Sequence, residues 1–140
     1  MFLKKDTFTF NGGSKTLHEL SALQRIELLE FLATEEKARQ TLAEGEPEEV
    51  QSARFVGFNI RAGARVVAMS LWQGTDKTLS VEQLYQEVME TWPVEAIGKA
   101  DMQIKVLSGM ILTAAESSDS AAESEENQDK EADTDPAQKP

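Results

Sequence analysis

RFVGFNIRAGARVVAMSLW, residues 54–72, is the stretch that decides the fold. Its apolar residues recur at three- and four-residue steps and cover more than one side of a helical wheel, which is typical of a helix with neighbours on several sides. Pro47 and the two glutamates after it suit a helix start, so the predicted central helix spans 47–73. Arg54, Asn59, Arg61 and Arg65 interrupt the apolar run and leave far fewer than the roughly 20 apolar residues of a membrane span, so we expect no membrane contact. A strand over 55–60 is the alternative, because aromatic and β-branched residues are common in strands.

The residues at the start of the chain predict a β-hairpin. Asn11 and the two glycines after it suit a tight turn between strands at 2–10 and 14–19. A lone hairpin is marginally stable in water. We therefore expect its phenylalanines to rest on the helices that follow.

A first helix is predicted between the hairpin and the central helix. Ser21 and Gln24 have the spacing of a capping box, and the helix should run to about Leu42. Its glutamates fall mostly off the apolar positions and should be solvated. The predicted core-facing stripe is Leu23, Ile26, Leu29, Leu32 and Ala33.

Two further helices are predicted after the central one. Ser80 begins a third helix that should break at Trp92, because Pro93 cannot continue a helix but is tolerated at the start of a new one. The fourth helix should end near Ala115. The positions we expect to be buried in the bundle are Val67, Leu71, Leu84, Val88, Ile104 and Leu107.

The composition changes at Glu116, where an acidic, low-complexity tail begins. Nine acidic residues against two lysines give residues 116–140 a net charge of −7, which leaves −4 for residues 1–115. Such a segment cannot bury enough apolar surface to offset its ordering entropy. We predict a mainly α domain at 1–115, with an N-terminal β-hairpin packed on about four helices, and a disordered acidic tail at 116–140.

The chain carries no recognisable catalytic, cofactor or metal site. It lacks cysteine, and His18, its one histidine, has no second histidine to complete a zinc site. Residues 12–16 resemble a phosphate loop, but a serine separates glycine from lysine. The acidic balance argues against nucleic-acid binding. Because no constellation of nucleophile, base or metal ligands is visible, we expect no enzyme activity. No apolar segment follows a charged start near Met1, so we expect a cytoplasmic location.

One side of the central helix combines arginines with aromatic residues. Arg54, Arg61 and Arg65 share this side with Phe58 and Trp72. Arginine and aromatic residues are enriched at protein-binding hot spots, so these five residues, the arginine strip, are the candidate partner-binding site. The alternative is a solvated edge that pairs with glutamates of the first helix, such as Glu27 or Glu30.

Four sequence blocks, in order, resemble the lambda-type phage tail assembly chaperones, the minor tail protein G family. The resemblance covers about residues 2–112, although 33–53 departs from the family pattern. The blocks are Leu20-Ser-Ala-Leu-Gln-Arg-Ile-Glu27, Val67-Ala-Met-Ser-Leu-Trp72, Thr91-Trp-Pro-Val-Glu-Ala-Ile97 and Leu107-Ser-Gly-Met110.

The resemblance implies a non-enzymatic role in building a phage tail. A member of this family holds the tape-measure protein soluble in the host cytoplasm, and a frameshift-extended form recruits the tail-tube protein. Neither form would remain in the mature virion, and oligomeric state stays open. Two alternatives from other classes are an acidic DNA mimic and a regulatory adaptor.

Overall fold

The computed structural model describes residues 2–111, which form two strands and four helices. This mainly helical architecture with an N-terminal hairpin confirms the predicted fold class. Residues 55–60 lie within a helix, so the strand alternative is wrong. In chain order the elements are β1 (Lys5–Phe10), β2 (Gly13–His18), α1 (Ala22–Ala43), α2 (Glu48–Trp72), α3 (Val81–Thr91) and α4 (Val94–Leu107).

The predicted hairpin is confirmed, with strands shorter than expected. β1 and β2 pair antiparallel, and Phe10 opposite Gly13 closes the ladder. Asn11 and Gly12 between them both have positive φ, as a two-residue type I′ turn requires. The hairpin contacts α2 and α4, so it rests on the helices as its marginal intrinsic stability demands.

Helix α2 is central, as predicted, but only its second half is buried. It contacts α1, α3, α4 and β2. Between residues 63 and 70 every side chain except Arg65 is buried. In the first half, by contrast, Phe55 and Val56 are 48% and 56% exposed. The wide apolar stripe therefore exceeds the surface that the other described elements cover.

The start and end of α1 confirm the prediction, but its buried face does not. The Ser21–Gln24 capping box is present. However, Leu23, Ile26 and Leu29 are 63%, 54% and 66% exposed and Ala33 is exposed too, so the predicted core stripe is wrong at every position except Leu32. The residues that turn inward form a second stripe with the same helical period: Gln24, Leu28, Phe31, Leu32 and Glu35.

The buried face of α1 is selected partly by polar contacts. The Gln24 side-chain amide donates to the Met69 carbonyl on α2 at 2.8 Å. Glu35, which we expected to be solvated, accepts a 2.7 Å hydrogen bond from Arg61. Both contacts exist only when this side of α1 faces α2, and Leu28 is then fully buried.

The break between α3 and α4 is confirmed, whereas the predicted end of α4 is wrong. Trp92 ends α3 and Pro93 precedes α4. Helix α4 ends at Leu107 rather than near Ala115, because Ser108 leaves the helical conformation and Gly109 has a φ of +73°. A glycine with positive φ just past a helix end is a common terminator.

Four of the six predicted core positions are buried: Val67, Leu84, Val88 and Ile104. Leu71 and Leu107 are half-buried instead. Both lie in the last turn of their helices, where neighbouring elements cover less of the side chain.

The chain divides into two units, at 1–108 and 109–140. The predicted boundary at 115/116 and the predicted disorder of 116–140 lie outside the described residues and stay predictions. Among residues 2–111, no helix is long and apolar enough to cross a membrane.

Candidate partner-binding site

A buried serine on α2 fixes the hairpin to the helices. Ser70 Oγ accepts a hydrogen bond from the His18 amide at 2.6 Å and donates one to the His18 carbonyl at 2.8 Å. The Ser70 side chain thus pairs with both the amide and the carbonyl of His18 at the end of β2. Burying these two backbone groups without partners would cost free energy of folding. Sequence reasoning missed this role, although a serine within an apolar helical run was the available signal.

Ser108, just past α4, makes a second buried connection. Its hydroxyl accepts the Leu20 amide at 3.0 Å, and its carbonyl accepts a 3.3 Å hydrogen bond from Arg25. The link between β2 and α1 is therefore held from both α2 and α4. This was not predicted, because the contact joins residues 88 positions apart.

His18 has a structural environment rather than that of a metal ligand. Its ring packs so closely on Gly74 that a Cβ added there would lie 2.7 Å from Cε1. Burial, followed by the positive charge of Lys5, lowers the pKa of His18. Among residues 2–111 no cluster of potential ligands could hold a metal ion.

The first two arginines of the arginine strip form ion pairs. Arg54 makes a bidentate contact with Glu46, at 2.7 and 2.8 Å, and this hydrogen bonding lowers the pKa of Glu46. Arg61 pairs with Glu35 of α1 at 2.7 Å. Both guanidinium side chains remain 37% exposed. Both arginines thus pair with glutamates, as the alternative prediction had it, but the partners are Glu46 and Glu35 rather than Glu27 or Glu30.

Arg65 is built into the packing of three helices. Its guanidinium carbon lies 4.3 Å from the ring centre of Phe31 on α1 and 4.2 Å from that of Tyr85 on α3. It also donates to Glu82 at 2.8 Å. A cation held between two aromatic faces stabilises a junction. Arg65 is therefore fixed in place and has little surface left for a partner.

The two aromatic residues of the arginine strip lie in different surroundings. Phe58 is half-buried and stacks on Phe55 with ring centres 6.3 Å apart. Trp72 is also half-buried; its indole donates to the Leu79 carbonyl at 3.1 Å, and Lys77 lies over its ring. The five residues share one side of α2 but not one continuous surface. Their role in partner binding stays a prediction.

An apolar surface that sequence reasoning assigned to the core lies open on α1. Leu23, Ile26 and Leu29, which we call the α1 ridge, project from a helix with a complete N-terminal capping box. The sequence did contain a signal for this exposed surface, because α1 carries two overlapping stripes of apolar residues. A single helix cannot turn both stripes toward α2, so one of them has to face away.

A shallow cleft of about 310 Å³ separates the first half of α2 from α4. The helices come close at Gly63, where an added Cβ would lie 3.1 Å from Ile97 Cγ2. Asp101 lines the cleft, and burial raises its pKa despite the opposing effect of Lys105. The cleft walls are mostly apolar, with Val56 and Val94 exposed at the rim.

These features define a class of protein: a small helical domain with an N-terminal hairpin and several exposed apolar side chains. The chain belongs to the family described as bacteriophage lambda tail assembly chaperone, TAC, protein G, whose model matches residues 1–131. This family is one of assembly chaperones and not an enzyme class. No solved structure matches the chain significantly.

Relatives support the same assignment. The chain is 42% identical over 119 residues to tail assembly protein G of Escherichia phage N15, and 43% identical over 118 residues to tail assembly protein G of Escherichia phage lambda. Each alignment covers 79% of both chains. This chain is also 42% identical over 119 residues to tail assembly protein GT of Escherichia phage N15, but the alignment covers only 44% of the length of that protein. A longer relative therefore contains this domain together with additional sequence.

Proposed function

We propose that this domain is a non-catalytic chaperone that binds the tape-measure protein and keeps it soluble while the tail tube assembles. Family membership supports tail assembly over the DNA-mimic and adaptor alternatives. The observation that carries the choice of surface is the α1 ridge, three large apolar side chains exposed on one helix.

The α1 ridge suits an apolar face of a partner helix. Its residues recur at three-residue steps, so they form a row along α1. Full burial of three such side chains contributes at most about 4.5 to 9 kcal/mol, and the cost of association offsets much of this free energy. The α1 ridge is therefore the apolar centre of a larger contact, which other residues must complete. An amphipathic partner helix would match this row through its own apolar positions.

We further propose that a frameshift-extended form of this domain recruits the tail-tube protein. The support is the longer GT relatives, of which this chain covers 44% and 39%. Both forms would act in the host cytoplasm and be absent from the mature virion. The polar segment 116–140 would serve as a soluble tether between the domain and an added region.

The test is co-expression with the phage's tape-measure protein, followed by affinity measurement on the purified complex. The double variant Ile26→Glu with Leu29→Glu should weaken binding by at least about tenfold, because charges then enter the apolar contact. Circular dichroism checks that the helices survive these surface changes.

The matched control is Met89→Glu with Met102→Glu, two exposed apolar residues on α3 and α4. It should bind like the parent protein. Equal weakening in both double variants would reject the α1 ridge as the contact. No association of the parent protein at tens of micromolar would reject the chaperone role itself.

A further inference from the structure

We propose that the partner helix bound by the α1 ridge carries lysine or arginine along one side of its apolar face, where it meets Glu27 and Glu30. This inference rests on the proposed function, because it takes the α1 ridge as the contact, and it adds the chemistry of the partner. It is supported by the position of the two glutamates, by their lack of ion pairs within residues 2–111, and by the cleft that they line.

Glu27 and Glu30 form a row alongside the α1 ridge. Glu27 lies four residues after Leu23 of the ridge. Glu30 lies four residues after Ile26. Residues four apart are neighbours on a helix surface. Both glutamates are exposed, so they border the area that a helix on the ridge would cover.

Within residues 2–111, no ion pair neutralises these two carboxylates. Arg65 lines the same cleft, but its guanidinium donates to Glu82 at 2.8 Å and is enclosed by two aromatic rings. A partner helix on the ridge would remove water from the carboxylates of Glu27 and Glu30, which costs free energy when they stay unpaired. A cation on the partner offsets this cost, whereas an acidic side chain adds repulsion.

A cleft of about 390 Å³ lies beside the two glutamates, between α1, α2 and the start of α3. Phe31 and Val81 contribute to its lining and are half-buried, whereas Glu27 and Glu30 are exposed. Lysine and arginine combine a long apolar stem with a charged end. Their stems match Phe31 and Val81 while their charges meet the carboxylates, so the cleft favours a cationic side chain over an acidic one.

The two sides of the α1 ridge differ in charge. Successive residues of a helix are rotated by about 100°, so Arg25 and Glu27 lie on opposite sides of Ile26. Arg25 also donates to the Ser108 carbonyl at 3.3 Å. The basic side of the partner helix therefore lies toward the glutamates. The net charge of −4 over residues 1–115 further favours encounter with a basic segment.

The probe is a capped synthetic helix of three repeats of Gln-Leu-Ala-Gln-Leu-Lys-Gln, titrated into the full-length protein by NMR. Its leucines form one apolar face, and its lysines lie along one side of that face. A second peptide has glutamate in place of each lysine. The lysine peptide should shift the amide resonances of residues 23–30 and bind at least about fivefold more tightly than the glutamate peptide. This preference should shrink at about 0.5 M salt.

Glu27→Lys with Glu30→Lys tests the two carboxylates directly. This double variant should reverse the preference, so that the glutamate peptide binds more tightly. The matched control is Glu87→Lys with Glu90→Lys, at two exposed glutamates of α3 that have the same spacing. The control changes the net charge by the same amount and should keep the preference for the lysine peptide.

Three results would overturn the inference. Equal effects of the two double variants would show that only net charge acts. Equal affinity of the two peptides for the unaltered protein, or no binding of either at about 1 mM, would contradict the inference even if a variant unfolds. A homodimer that Glu27→Lys with Glu30→Lys dissociates would show that a second copy covers the ridge.

Association with the tape-measure protein distinguishes this inference from the proposed function. If the parent protein and the variant Glu27→Lys with Glu30→Lys bind the tape-measure protein equally well, the inference fails and the proposed function stands. If the lysine peptide binds at the α1 ridge but the tape-measure protein does not associate, the proposed partner is wrong and the charge preference stands.

Discussion

The two halves of α2 belong to one continuous helix yet meet different surroundings. Residues 63–70, the closed half, lie under the hairpin, α3 and α4, and only Arg65 among them is partly exposed. Residues 48–60, the open half, contact mainly α1 and α4 and leave Phe55 and Val56 exposed. Both halves have the same helical periodicity of apolar residues, so the difference in their burial arises from tertiary contacts. The closed half supplies stability, while the open half leaves apolar surface available.

The largest expected contrast comes from the same substitution in each half. Val67→Ala should lower the free energy of unfolding by about 2 to 3 kcal/mol, because it removes methyl groups from a fully buried site and leaves a cavity. Val56→Ala, at a site 56% exposed, should change it by less than about 0.5 kcal/mol. Urea unfolding measures both. Similar losses at the two positions would mean that the open half is covered in solution.

A smaller contrast is expected for two serines of α2. Ser70→Ala leaves the His18 amide and carbonyl without their partner and should cost about 1 to 3 kcal/mol. Ser52→Ala, in the open half, removes an exposed hydroxyl and should be nearly neutral. Thermal unfolding compares the variants, and amide exchange at His18 reports whether the end of β2 loosens. An unchanged His18 exchange rate would contradict the proposed role of Ser70.

The smallest contrast concerns arginine geometry. Arg65→Lys should cost about 1 kcal/mol, because lysine cannot lie flat between Phe31 and Tyr85 while pairing with Glu82. Arg54→Lys keeps a partly exposed pair with Glu46 and should change stability by less than about 0.5 kcal/mol. Chemical unfolding at two salt concentrations separates packing from screened charge. Equal losses of stability in the two variants would show that Arg65 contributes no more than an ordinary surface ion pair does.

Local signals predicted where most elements begin and end. The capping boxes at Ser21 and Ser80 mark two helix starts, and Pro93 divides α3 from α4. These signals act through neighbouring residues, so they are visible in sequence. The end of α4 was misplaced because apolar residues continue the helical period past Leu107, whereas the positive φ of Gly109 ends the helix.

Contacts between distant residues were not predictable in the same way. Periodicity on α1 allowed two faces, and the choice depends on Gln24 reaching Met69 and Glu35 reaching Arg61. The five residues of the arginine strip share one side of α2, as helical spacing requires. Its surroundings depend on α1 and α3, so sequence alone did not show that Arg65 is enclosed while Arg54 stays accessible.

The hydrogen bond from Leu20 to Ser108 has a consequence for folding as the chain emerges from the ribosome. Its partners are 88 residues apart, compared with 52 for His18 and Ser70. Such distant contacts form late, because a long loop must close before they contribute. Helices α1 and α2 can pair early, but the hairpin acquires its second anchor only after residue 108 has been synthesised. During that interval the side of α2 that α4 covers stays exposed, and the nascent domain itself presents the kind of apolar surface that a chaperone would cover.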